Sequence, residues 1–218
     1  MKDLKVVFMG TPTFSVPILE SLIKECNVIL VVSQPDKEKD RKGAFVSTPI
    51  KQIALSHNIE VYQPTKIKEE YQKIIDANPD IIITCAYGQI IPESLINYPH
   101  LGCINVHGSL LPRLRGGAPI HHAIINGDDE TGITIMYMDK HMDSGDIIAK
   151  RSLPIGPNDT LDIVYEKMSK LGASLLMETL PSIVAGTNNR IKQDEKYVTF
   201  GYNITKEEEK INFNNPSI

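Results

Sequence analysis

Two short stretches carry side chains able to do chemistry together: Cys103-Ile104-Asn105-Val106-His107-Gly108-Ser109-Leu110-Leu111-Pro112 and Met142-Asp143-Ser144-Gly145-Asp146. In the first, a β-type run ends in Asn-x-His and then meets a glycine and a proline-containing turn. Side chains alternate across a strand, so Asn105 and His107 share one face. Each can polarise or protonate an oxygen placed before it. Asp143 lies in a glycine-containing loop after another strand, a place from which a carboxylate can reach a strand-end histidine. Asp139 and Asp146 are close rivals for that role, and spacing alone leaves the three open. The chemistry suggested is acyl transfer without a covalent enzyme intermediate.

A strand that delivers such groups needs a sheet around it. Leu4–Met9 reads as a buried strand ending at Gly10, and Ile18, Leu19, Leu22 and Ile23 follow on a helix face, with Pro17 tolerable in the first turn. Asn27–Ser33 is a second β-branched run, completing a βαβ unit with parallel strands and helices on the faces. The pattern repeats with a helix over Thr48–His57, a strand over Ile59–Tyr62, a charged helix over Lys66–Ala77, and strands over Asp80–Thr84 and Gly102–His107. Beyond Asp129, Thr131–Met138 and Ile147–Leu153 read as an antiparallel pair across the Asp143 loop. Thr160–Val184 is a long amphipathic helix capped by Asp159 or Thr160, with Gly186 past its end. Pro181 is expected to kink or shorten its last turn. The class expected is an α/β, Rossmann-like open sheet, mostly parallel, with helices on both faces and an antiparallel extension. Residues 1–186 form its domain, and the polar, lysine-rich 187–218 read as a linker with short strand pieces. In such sheets ligands bind outside the carboxyl ends of the strands.

Composition narrows the field. The 218 residues suit one large domain, or one domain with a fragment of another. No apolar run approaches a membrane span. Met1 to Lys5 leads directly into a strand, so no secretory leader is expected. Cys26, Cys85 and Cys103 are odd in number, lack metal-ligand spacing and have apolar neighbours, which points to buried thiols in a reducing compartment. His121, His122 and His141 also lack ligand spacing. Gly10 alone does not make a dinucleotide fingerprint, which disfavours a nicotinamide cofactor. The net charge of −4 excludes a chain basic all over but leaves room for a local basic patch.

Taken in order, Phe8-Met9-Gly10-Thr11-Pro12-Thr13-Phe14, Gln34-Pro35-Asp36, Ala86-Tyr87-Gly88-Gln89-Ile90-Ile91-Pro92, the Asn105–Pro112 block, Arg115-Gly116-Gly117-Ala118-Pro119-Ile120 and Asp143-Ser144-Gly145-Asp146 are a specific set. With a weaker match at Ile211-Asn212-Phe213, the chain resembles the folate-dependent formyltransferases, most closely the catalytic domain of the methionyl-tRNA formyltransferases. The resemblance implies Asn105, His107 and Asp143 as the catalytic set. It implies a folate cleft made by Tyr87, Gly88, Gln89, Ile90 and Ile91 with Ser109, Leu110, Leu111 and Pro112, where Gln89 replaces an Arg of some relatives. The donor it implies is 10-formyltetrahydrofolate, with no metal, and the acceptor is initiator methionyl-tRNA. Lys37, Lys39, Arg41 and Lys42 would meet the acceptor stem, although Asp36, Glu38 and Asp40 interleave with them. The family continues beyond the position of Ile218 into a C-terminal barrel. A cytoplasmic monomer is expected. Two other readings stand beside this one: an N-formyltransferase for a nucleotide-linked amino sugar, or a truncated relative that binds folate or RNA with little catalysis.

Overall fold

The computed structural model describes residues 1–39 and 44–208. Its elements are β1 (Lys5–Gly10), α1 (Val16–Glu25), β2 (Asn27–Val32), β3 (Lys37–Lys39), β4 (Ala44–Val46), α2 (Pro49–Ser56), β5 (Val61–Tyr62), α3 (Gln72–Asp76), β6 (Ile81–Cys85), α4 (Glu93–Ile96), β7 (Cys103–His107), α5 (Pro119–Ile125), β8 (Glu130–Tyr137), β9 (Ile147–Pro154) and α6 (Leu161–Val184). Seven strands form one sheet in the order β5-β2-β1-β6-β7-β8-β9. The first five run parallel, and β8 and β9 extend them antiparallel. This is the expected mostly parallel sheet with its antiparallel extension.

Side-chain alternation divides the core between the two faces. Val6 and Phe8 of β1 join Ile104 and Val106 of β7 under α1, α2, α5 and α6. Val7 and Met9 join Ile82 and Cys103 under α3 and α4. The first layer spans most of the sheet, and α6 lies along β8 and β9. The second covers mainly β1, β2 and β6, so helical cover runs out as β7 passes Cys103. Asn105 and His107 follow Cys103 on that same face, where loops rather than helices cover them. Burying Ile104 and Val106 stabilises the fold by about 1.5–3 kcal/mol each, which sets the register that turns their neighbours to the other side.

Several expectations need adjustment. The charged helix expected over Lys66–Ala77 is only α3, preceded by a separate turn in which Glu69 N and Glu70 N donate to the Lys66 carbonyl. Ile67 N donates to Gln89 Oε1 at 2.9 Å, and the Glu70 carbonyl accepts from Tyr62 Oη at 2.8 Å. The helix α6 runs through Pro181 to Val184, its start capped by the Thr160 hydroxyl. The charged loop after Gln34 contains the small antiparallel pair β3–β4. Residues 187–208 carry short strand pieces as expected: Ile191 bridges Ile147 on β9, and Phe200 bridges Arg115. Arg41, Lys42 and Ile211-Asn212-Phe213 lie outside the described residues. Among the described residues no helix is long and apolar enough to cross a membrane.

Candidate active site

On β6, Thr84 stands beside Asn105 in register and donates from its hydroxyl to Asn105 Oδ1 at 2.9 Å. That contact orients the amide so that its nitrogen faces away, donating to Asp143 Oδ1 at 3.3 Å. His107 Nδ1 lies 3.6 Å from the same oxygen. The imidazole is buried, and its Nε2 donates to the Leu114 carbonyl at 3.0 Å. Both ring nitrogens therefore face oxygen atoms. Asp143 Oδ2 accepts from Gly116 N at 2.9 Å. One carboxylate oxygen thus occupies the point where the Asn105 and His107 donors converge, while the other is tied to the backbone.

Asp139 and Asp146 are employed elsewhere. Asp139 Oδ1 accepts from His141 N at 2.9 Å and Ser144 Oγ at 2.6 Å, closing its own turn. Asp146 pairs with Arg190 at 3.3 Å. Backbone strain collects around the site as well. Asp143 has φ 48°, Leu114 φ 56° and Ala86 φ 48°, all left-handed without being glycine. Such a conformation costs roughly 1–2 kcal/mol for a residue with a Cβ, somewhat less for Asp. Strain of this kind persists where surrounding contacts hold it, often at functional sites.

Because β6 and β7 are neighbours, the loops that follow them stand side by side at the carboxyl edge of the sheet. After β6, Tyr87 is buried in the core with no partner for its hydroxyl among the described residues, and burial pushes its phenol above the ordinary range. Its carbonyl accepts from Thr11 Oγ1 at 3.0 Å and Gln34 Nε2 at 3.1 Å. Gly88 has φ 91°, and a Cβ there would lie 3.3 Å from Gln34 Nε2. Gln89 is occupied too: its Oε1 holds Ile67 N, and its Nε2 donates to Pro64 O at 3.2 Å and Gln34 Oε1 at 3.3 Å. Ile91 is buried, whereas Ile90 is 67% exposed. After β7, Ser109 Oγ donates to Arg113 O, while Thr134 Oγ1 donates to the Ser109 carbonyl and accepts from Leu111 N. Leu111 is buried with Met136 and Ile147, and Leu110 and Pro112 are half-buried. Of the nine residues expected at the cleft, Gly88, Gln89, Ile90, Leu110 and Pro112 thus retain surface, while Tyr87, Ile91, Ser109 and Leu111 build the loops from beneath. Lys37 and Lys39 stand on β3, in the small sheet separate from the main one. Among the described residues no group of His, Cys, Asp and Glu could hold a metal.

Comparison with known proteins now bears on this geometry. A family profile described as formyl transferase matches residues 4–180. The chain belongs to the formyl transferase family. A methionyl-tRNA formyltransferase of Staphylococcus aureus (strain MW2) is 51% identical over 97% of this chain, and the match covers 69% of that protein. Among solved formyl transferases, a 4-N formyltransferase from Francisella tularensis superposes with a TM-score of 0.74 at 22% identity, covering 99% of this chain and 83% of its own. An N-formyltransferase from Helicobacter canadensis, in complex with folinic acid and dTDP-3-aminofucose, gives 0.70 at 21%, covering 98% and 74%. At those identities the two structures establish the shared fold alone.

Alternation put Asn105 and His107 on one face and the resemblance added Asp143, but neither pointed to what holds them. Thr84 orients Asn105, the left-handed Leu114 carbonyl receives His107, and Gly116 N receives Asp143. The glycine pair at Gly116-Gly117 was the available hint of a backbone approach at that point. Gln193, which touches the Asp143 loop, gave no signal.

Proposed function

We infer that the chain transfers the formyl group of 10-formyltetrahydrofolate to the α-amine of methionyl-tRNA, giving N-formylmethionyl-tRNA and tetrahydrofolate. The observation that carries the chemistry is the convergence of the Asn105 amide and the His107 imidazole on one oxygen position, now filled by Asp143 Oδ1. The Staphylococcus relative, matched over nearly the whole chain, supports the choice of acceptor.

The nucleophile belongs to the substrate. An α-amine titrates at about 7.7–8.0, so a useful fraction is neutral near pH 7 and needs little help to attack. Attack on the formyl carbon turns its carbonyl oxygen into an oxyanion. That oxygen replaces Asp143 Oδ1 before Asn105 Nδ2 and His107 Nδ1, and one such donor is worth roughly 3–4 kcal/mol of barrier. Asp143 Oδ1 faces His107 before the substrate enters; once displaced and still held at Oδ2 by Gly116 N, the carboxylate takes a proton from the ammonium of the tetrahedral intermediate, directly or through water. The proton taken up by Asp143 passes, directly or through water, to the departing folate nitrogen as the carbon–nitrogen bond breaks, which closes the proton balance.

The pterin is assigned to the neighbouring loops, with Gly88, Gln89, Ile90, Leu110 and Pro112 at its surface and Tyr87, Ile91, Ser109 and Leu111 shaping them. The phosphates of the acceptor stem are assigned to Lys37, Lys39, Arg41 and Lys42. A cytoplasmic location goes with this reading and is supported by the three cysteines, all buried and unpaired. The deciding experiment offers 10-formyltetrahydrofolate with methionyl-tRNA in one arm and a nucleotide-linked amino sugar in the other. Formyl transfer to methionyl-tRNA is expected; transfer only to the sugar overturns the reading.

A further inference from the structure

Gln193 lies beyond residue 180, where the family match ends, yet every polar atom of its side chain is engaged at the active-site loop. Its amide nitrogen donates to the Asp143 carbonyl at 2.8 Å and the Gly145 carbonyl at 2.9 Å. Its Oε1 accepts from Arg115 Nε at 3.0 Å and Arg115 Nη2 at 2.9 Å. The Arg115 side chain is itself 6% exposed and pairs with Glu195 at 2.9 Å. The main chain of Arg115 is held in turn: its N donates to the Thr199 carbonyl at 2.9 Å, and Gly201 N donates to its carbonyl at 2.8 Å. The next residue is Gly116, whose N–H holds the Asp143 carboxylate.

We propose that Gln193, gripped by the Arg115 guanidinium, is a positioning residue that holds Asp143 in the conformation its carboxylate needs. Asp143 has a left-handed backbone, and a short loop does not keep one turn in that state without outside contacts. One amide group spans the turn with both of its protons, anchoring the carbonyls on either side of Ser144. Arg115 links the two halves: its side chain fastens the amide that grips the loop backbone, and its neighbour's N–H fastens the carboxylate. A loop free to drift by even about 1 Å can lose a factor of roughly 100 in rate. The working catalytic unit therefore includes residues of the 187–208 segment. This inference rests on the formyl-transfer reading above for its kinetic arm and on the structure alone for its spectroscopic arm.

The test uses two variants of the full chain. Gln193→Glu keeps a partner for Arg115 but replaces the donor amide with an oxygen facing two carbonyls; Gln193→Met keeps the length and removes both functions. With wild type assayed in parallel, both variants should lose about 10- to 100-fold in kcat for methionyl-tRNA formylation. Their KM for 10-formyltetrahydrofolate should stay near wild type, while their melting temperatures fall by a few degrees as Arg115 and the loop carbonyls lose hydrogen bonds. Independently of substrate, the His107 ring nitrogen resonances should shift in both variants as Asp143 withdraws. Wild-type kcat in either variant overturns the proposal, as do unchanged His107 resonances. A rise in folate KM in parallel with the loss of kcat in both variants overturns it too, because that describes a general structural role. If wild type itself fails to formylate methionyl-tRNA, the function reading fails, and the His107 resonances alone decide the positioning role.

Discussion

His107 and Asp143 arrive at the same oxygen by different physical routes. His107 is borne by a central strand whose back is buried against α6 and whose neighbours are paired on both sides. Its place is set by the pleat, by register and by apolar burial, all of which act through near neighbours. Asp143 sits in a loop between two antiparallel strands, and its place is set by polar contacts from Gly116 and Gln193, distant in sequence. The first route is redundant, since many core contacts hold the strand. The second depends on a handful of hydrogen bonds, so each should matter more than its share of the stability.

The largest effect should come from removing the groups that meet at the oxygen. Asn105→Ala and His107→Ala should each lower kcat by about 100- to 1,000-fold, with folate affinity nearly unchanged. Asp143→Asn should fall in the same range. Combined with Asn105→Ala, it should cost much less than the product of the two single losses, because groups acting as a unit are non-additive. Single-turnover formylation and folate titration would measure both; multiplicative losses would mean that the strand-borne and loop-borne groups act separately.

A smaller effect should separate the two routes. Arg115→Met removes the grip on Gln193, and a turnover loss of about 10- to 100-fold is expected. Stability should fall by about 1–3 kcal/mol, the worth of hydrogen bonds to a charged group. Thr84→Val removes the hydroxyl that orients Asn105 but leaves the strand packing whole. It should cost about 1 kcal/mol of stability and a more modest loss of turnover than Arg115→Met. Denaturant midpoints with kcat for the two variants give the comparison; a larger loss of turnover from Thr84→Val would reverse the ranking of the two routes.

The smallest effect concerns the strand's own thiol. Cys103 shares a face with Asn105 and His107, but burial raises its pKa, and Cys85 at the end of β6 is pushed up to about 12. At pH 8, far below both, the thiols stay protonated and poorly nucleophilic. Iodoacetamide should therefore leave formylation unchanged in the folded protein and modify both cysteines once denaturant is added. Mass spectrometry with an activity assay would detect early loss, which would show the strand opening more readily than its burial implies.

The same division explains what was legible in the sequence. Alternation along Cys103–His107 sufficed to put Asn105 and His107 on one face, and the β-branched runs gave the sheet its order of strands and helices. Three aspartates within eight positions could not be ranked from spacing, and resemblance supplied the choice of Asp143. In the structure Asp139 and Asp146 are engaged by Ser144 and Arg190, whereas Asp143 faces Asn105 and His107. Leu114, Gly116 and Gln193 were out of reach because their contacts follow no period. The shortened α3 was hidden for a similar reason, as the Glu70 carbonyl just before it is taken by Tyr62, a partner that helical periodicity does not encode.

The pleat of β7 has a consequence for how this chain can vary over time. Ile104 and Val106 point to one side and Asn105 and His107 to the other, so a one-residue insertion or deletion within the strand would exchange the two sets. It would put an amide and an imidazole into the apolar layer and turn two aliphatic side chains toward the substrate. A change of length there removes the stability and the chemistry in a single event. Lineages of this protein can therefore lengthen or shorten their surface loops, but these five residues must descend as an unbroken block.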